Sequence, residues 1–202
     1  MRSQIYLMVE PGLEPEVLGR ALDAAPVACV LLRSGAAGED EQRAAIAALR
    51  PVAQEREVAF LIENRAHLAN ETGCDGVHLS QNGKAIKAAR AAVGANAIVG
   101  VFCGDSRHTA MAAAEAGADY VAFGGAPAER WWQEAADPAL LAWWQAIMTA
   151  PCVALAGDEL AAAGEMAAAG ADFVAVGSSI WSYPAGPEAA MGELAAVVGK
   201  AK

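Results

Sequence analysis

The sequence predicts an α/β fold, a single (β/α)8 TIM barrel domain over residues 1–202, from three observations. Short β-branched runs alternate with Ala-rich stretches whose apolar residues recur at helical spacing. Eight such units follow one another without a long interruption. Strands each followed by a helix that returns over the sheet need parallel pairing and right-handed crossovers, and eight units can close on themselves. A local unit also repeats: Ala116-Gly117-Ala118-Asp119-Tyr120-Val121-Ala122-Phe123-Gly124 matches Ala169-Gly170-Ala171-Asp172-Phe173-Val174-Ala175-Val176-Gly177. Gly73-Cys74-Asp75-Gly76-Val77 is a shorter copy. A doubly wound open sheet is the rival architecture.

The elements follow in order. The run Ile5-Tyr6-Leu7-Met8-Val9 predicts the first strand, and residues 15–24 its helix; Val27-Ala28-Cys29-Val30-Leu31-Leu32 predicts the second, with a helix over 40–55. Strands are expected next at 59–62, 76–79, 98–101 and 120–123, with helices at 65–71, 84–93, 106–116 and 138–149. The last two strands are expected at 152–155 and 173–176, and their helices at 159–169 and 187–200. In each Gly-Ala-Asp echo the glycine suits the left-handed turn that ends a helix, the acid suits the tight turn, and a buried strand begins. These echoes mark the bottom of the barrel and carry no chemistry.

Composition narrows the function. With 55% hydrophobic and 19% charged residues the chain suits a soluble globular domain. Fourteen Lys and Arg against 24 Asp and Glu give a net charge of -10, so no nucleic-acid partner is expected. No apolar run reaches the roughly 18 to 20 residues that span a bilayer, so no membrane partner is expected and the cytoplasm is the expected location. Cys29, Cys74, Cys103 and Cys152 stand singly and are expected as reduced thiols. His67, His78 and His108, without Cys or carboxylate at ligand spacing, predict no metal site. No dinucleotide fingerprint, Walker loop or nucleophile elbow occurs.

Barrel ligands bind above the carboxyl ends of the strands, so the residues just after each strand are the candidates. They include Glu10, Arg33, Glu63 with Asn64, Ser80 with Gln81, Phe102 with Cys103, Gly157, and Gly177 with Ser178 and Ser179. Gly157 after the seventh strand and Gly177, Ser178 and Ser179 after the eighth offer backbone N–H groups, with a short helix beginning near Ser178, where barrels commonly hold a phosphate. Arg33 is either a fork for a phosphate or carboxylate, or the ion-pair partner of Glu63 on the adjacent strand. His78 faces inward as a candidate proton donor, with Glu63 as its acid or base counterpart, or is an inward histidine satisfied by its neighbours. Arg130 is a second cation if the sixth loop folds inward. Trp131 and Trp132 lie in that loop, Trp143 and Trp144 on the helix behind it, and Trp181 beyond the eighth strand. A Trp pair on one helix is expected to set one ring on the barrel and the other at its rim or in a subunit contact, the alternative being a lid over the mouth.

Phe60-Leu61-Ile62-Glu63-Asn64-Arg65, Gly73-Cys74-Asp75-Gly76-Val77-His78-Leu79-Ser80-Gln81 and Ile98-Val99-Gly100-Val101 together resemble thiamine phosphate synthase and its relative, the thiazole tautomerase. The likeness continues through Ala116 to Gly124 and Gly170 to Ser179. It implies a (β/α)8 barrel, a thiazole-type phosphate resting on Gly157 and Gly177 to Ser179, and Arg33 and His78 facing the pyrimidine-pyrophosphate side. The synthase pattern after the second strand, Gln-x-Arg-x-Lys, here keeps only Arg33. Its magnesium-binding Asn-Asp and Gln-Glu-Asp read Glu63-Asn64 and Gln81-Asn82-Gly83, its Ser-Thr reads Phe102-Cys103, and its Thr-Pro-Thr-Lys loop is replaced by residues 125–130. The tautomerase histidine would fall near Gly125. Pyrophosphate departure needs cations or a metal to take up developing charge. The expectation is therefore a barrel that binds a small phosphorylated ligand, with Asn64 and Gln81 among the ligand contacts, but has lost the magnesium site and the synthase machinery. The alternatives are an active divergent synthase or a metal-free isomerase. A homo-oligomer is a possible assembly.

Overall fold

The computed structural model describes residues 2–80, 85–125 and 130–199. Eight parallel strands close into a barrel in the order β1 to β8, each paired with its sequence neighbours and β8 with β1. The strands are β1 (Gln4–Val9), β2 (Val27–Leu32), β3 (Ala59–Glu63), β4 (Gly76–Leu79), β5 (Ile98–Phe102), β6 (Tyr120–Phe123), β7 (Cys152–Leu155) and β8 (Phe173–Val176). Between and after them run α1 (Pro15–Ala24), α2 (Glu39–Gln54), α3 (Ala66–Thr72), α4 (Ile86–Val93), α5 (Arg107–Glu115), α6 (Pro138–Ile147) and α7 (Leu160–Ala168), then α8 (Ser178–Trp181) and α9 (Pro187–Val198). The open-sheet rival is excluded by the closed order, and the short helix expected near Ser178 is α8.

Alternation along each strand divides the apolar residues into two sets, because successive side chains point to opposite faces. Ile5, Leu7 and Val9 of β1 pack outward under the helices with Val30, Leu32, Phe60, Ile62, Val77, Leu79, Val99 and Val101. Tyr6, Met8, Cys29, Leu31, Leu61, Phe102, Tyr120, Val153 and Leu155 fill the lumen instead. Two strand glycines make this packing possible. A Cβ at Gly100 would lie 1.9 Å from the Tyr120 ring, which reaches across the lumen from the neighbouring strand, and one at Gly76 would lie 2.0 Å from the carbonyl of Ile98.

The bottom face is pinned by the repeated acids. Asp75 Oδ2 accepts the N–H of Phe60, Asp119 Oδ2 that of Val99, and Asp172 Oδ2 that of Cys152, each at 2.7–2.8 Å. A side chain from the end of an even-numbered helix meets each one: Gln54 from α2, Arg90 from α4 and Gln145 from α6. The acid before one strand thus caps the start of the preceding strand. Of the expected Trp pair on α6, Trp144 packs fully inside against Phe123, while Trp143 is half-buried against the outer core beneath the Arg107 guanidinium. Among the described residues all four cysteines are free, and no helix is long and apolar enough to cross a membrane.

Candidate functional site

The carboxyl ends of the strands bring most of the candidates to one mouth. Arg33 follows β2 and is buried. Its Nη1 donates to Glu10, which follows β1, and its guanidinium carbon lies 3.2 Å from the centre of the Trp132 ring. The sequence alternative of an Arg33–Glu63 ion pair is therefore corrected: the partner is Glu10. Gln42 of α2, fully buried, donates to the carbonyls of Arg33 and Ser34 and holds that turn. Burial pulls the Arg33 pKa below its ordinary value and pushes that of Glu10 above its own, and the attraction between them opposes both shifts.

Glu63 has other partners. Its carboxylate accepts the backbone N–H of Ser34 at 2.8 Å and the indole N–H of Trp131 at 2.8 Å, and Ser34 Oγ donates to its carbonyl. His78 stands opposite Glu63 in the β3–β4 register and points into the lumen. Its Nδ1 is 2.8 Å from the Tyr120 hydroxyl, which is itself 2.8 Å from the Tyr6 hydroxyl, while Nε2 has no partner among the described residues. Burial lowers the His78 pKa to about 4, partly offset by Glu63, so the ring is neutral near pH 7. Trp131 stacks on it at 4.6 Å between ring centres and is itself buried. Glu63 and His78 thus lie together, beneath an indole.

The glycine-serine segment divides. Gly177 and Ser178 border a cavity of about 360 Å3 that also meets Glu10, Arg33, Trp132 and Trp181. Ser178 Oγ donates to Asp158, which sets a carboxylate beside this segment. A Cβ at Gly177 would meet the Met8 side chain at 3.3 Å. Ser179 is buried with an unpartnered hydroxyl. Gly157, with φ of +66°, lies against residues 133–135, since a Cβ there would come within 2.9 Å of the Gln133 carbonyl and 3.0 Å of the Ala135 N–H. It does not border the cavity. Arg130 is exposed and outside the cavity lining. Asn64, at φ of +60°, donates to Ser80 Oγ and accepts from its N–H, so both ends of its amide are taken. Gln81 lies outside the described residues. A larger cavity of about 700 Å3 opens at the opposite end, among Arg2, Pro26, Pro151 and Val198, where barrel strands begin and ligands do not ordinarily gather.

Three contributors were not legible beforehand as parts of this site: Tyr6, Tyr120 and Ser34. The inward phase of β1 and β6 could have flagged both tyrosines, and the position of Gly100 across from Tyr120 in the register explains the room for that ring. Nothing local to Ser34 announces that it binds Glu63.

The family model described as "Thiamine monophosphate synthase" matches residues 5–180. A thiamine-phosphate synthase of Rhodospirillum centenum is 45% identical, the match covering 94% of this chain and 95% of that one. One of Hyphomonas neptunium is 40% identical over 94% of this chain and 91% of its own. Among solved structures, thiamine phosphate pyrophosphorylase from Pyrococcus furiosus superposes with a TM-score of 0.82 at 24% identity, covering 96% of this chain and 95% of that one, a likeness of fold. A barrel closed in this order, matched from its first strand to its eighth by that model and along nearly its whole length by those relatives, belongs to the thiamine monophosphate synthase family.

Proposed function

We propose that this protein is an active transferase of thiamine biosynthesis, joining a pyrimidine pyrophosphate to a thiazole phosphate with loss of pyrophosphate, and that its phosphorylated ligands enter at the strand-end mouth. The observation that carries this proposal is the 45% identity over 94% of the chain to a protein named thiamine-phosphate synthase. It favours the synthase over a barrel that only binds. The mouth suits an anionic ligand in three respects: Arg33 faces the cavity, the backbone of Gly177 and Ser178 borders it, and Trp132 and Trp181 give it flat walls. Glu63 and His78 are the candidate proton-transfer pair, and Tyr120 orients the imidazole.

The family's magnesium does not fit the described residues. Asn64 offers a neutral oxygen already bound to the Ser80 N–H, and no group of three or more His, Cys, Asp or Glu side chains gathers at ligand spacing among the described residues. Position 83 lies outside them. Among the described residues lining the cavity, Arg33 is the cation that can meet developing charge. That same feature favours a second reading, a barrel that holds a phosphorylated ligand without transfer.

Incubation with pyrimidine pyrophosphate, thiazole phosphate and magnesium, followed by chromatography for thiamine phosphate, separates the two. Product formation that Arg33→Ala reduces by at least about tenfold is expected from the loss of a buried charge-assisted contact. Absence of product in the wild type, with binding of thiazole phosphate retained, would establish the second reading in place of the first.

A further inference from the structure

We propose that Trp131 is a withdrawable occupant of the barrel mouth: its indole fills a slot that the flat ring of a ligand takes when the side chain leaves. The proposal rests on the mouth being the ligand site, as above.

The slot is built for a ring. His78 stacks on one side of the indole with centres 4.6 Å apart and planes 26° apart, Phe102 leans on it at 5.3 Å, and Glu63 Oε1 receives its N–H at 2.8 Å. The lumen rings Tyr6, His78, Phe102, Tyr120 and Phe173 arise from strands. Trp131 instead reaches in from a connection, residues 124–137, the longest between a strand and its helix. Long connections of this kind are more often functional than structural.

Polar bookkeeping separates an occupant from a permanent core residue. Buried polar side-chain atoms in packed interiors find partners. Beneath Trp131, His78 Nε2 has none among the described residues, because the indole turns its face to the imidazole while Nδ1 is already held by Tyr120. Among the described residues, Glu63 is buried with only neutral N–H donors on its carboxylate, from Ser34 and Trp131. A ligand ring carrying an acceptor for His78 and a donor for Glu63 would satisfy both groups, which an indole with its single N–H cannot do. The neighbouring Trp132 covers the guanidinium of Arg33, whose Nε is also unpartnered. Two consecutive rings of one connection therefore cover the Arg, the Glu and the His of the mouth. Their withdrawal would expose all three together.

The test follows the indole directly. In wild-type protein, native-state hydrogen exchange of the Trp131 indole N–H is expected to be at least about tenfold faster than that of barrel strand amides such as Val121, and insensitive to low denaturant, as for local opening. Exchange of that indole only in step with the strand amides would overturn the proposal. A second arm uses 5-fluorotryptophan protein, with the Trp131 fluorine signal assigned through Trp131→Phe, and thiazole phosphate as probe. Binding should move that signal. Trp131→Ala should bind the probe about tenfold more tightly, because a competing closed state lowers apparent affinity by the fraction of open molecules. Binding by the wild type with an unmoved signal and no tightening in Trp131→Ala would also overturn it. If neither protein binds thiazole phosphate while the indole still exchanges by local opening, the ligand assigned to the mouth is wrong and the withdrawable indole is supported.

Discussion

The two ends of this barrel use their polar side chains differently. At the bottom, each repeated aspartate accepts, on its Oδ2, a strand N–H and a side-chain donor from the preceding even-numbered helix, which ties Asp75, Asp119 and Asp172 into the sheet. At the top, among the described residues, His78 Nε2, Arg33 Nε, Gln42 Oε1 and Ser179 Oγ are buried without partners, against Arg50 Nε alone toward the bottom, and Glu63 relies on a tryptophan from a long connection. Unpaired buried groups cost stability, so an end that keeps them is not organised for stability alone. The bottom holds the barrel closed. The top retains groups that a ligand can satisfy.

That contrast can be broken at several points, beginning with the greatest effect. Gly76→Ala should destabilise the barrel by more than about 3 kcal/mol, because its Cβ would be driven into the Ile98 backbone 2.0 Å away, and backbone cannot rotate aside. Urea unfolding measures it, and a loss below about 1 kcal/mol would show that the β4–β5 spacing can widen.

Acid should act through the top. The His78 pKa is lowered by burial to about 4, against about 6.5 in an unfolded chain, so between these values the unfolded state binds more protons. Stability from this group is complete above about pH 6.5 and is lost as pH falls, by about 3 kcal/mol at pH 4. Comparing urea midpoints of the wild type and His78→Phe at pH 7 and pH 4.5 isolates this term. An equal pH response in the two proteins would mean that His78 protonates freely in the folded state.

Asp172→Ala should cost about 2 kcal/mol in the same urea assay by orphaning the Cys152 N–H and releasing Gln145. At the other end Glu10→Gln should cost less than about 1 kcal/mol, since the Glu10 carboxylate is half exposed and an amide oxygen still accepts from Arg33. A larger loss for Glu10→Gln than for Asp172→Ala would reverse the assignment of stability to the bottom and ligand-directed groups to the top.

Much of the fold is local enough to be written in the chain. All eight strands fall within a residue of their expected bounds, because a buried parallel strand needs a short β-branched run and little else. Inward and outward faces follow from the two-residue period, which is how His78 was placed in the lumen. The Gly-Ala-Asp echoes identified the bottom turns, although their caps on the preceding strands involve partners 15 to 20 residues away. The site was legible as a set of residues after strands, and less so as a set of contacts. Glu63, His78, Arg33, Gly177 and Ser178 reach the mouth, whereas Gly157 is packed under residues 133–135 and Arg130 stays exposed.

The sequence by itself determined the barrel, the phase of each strand and the end at which chemistry-bearing side chains collect, since each depends on steric and hydrophobic patterns within a few residues. Only the tertiary structure decided that Arg33 pairs with Glu10, that Tyr120 holds His78, and that Trp131 reaches Glu63 across 68 positions of chain. Those choices depend on the stagger between strands and on where Trp131 and Trp132 come to rest in the mouth. Neither is encoded by any short segment, because each is set by how all eight strands close together.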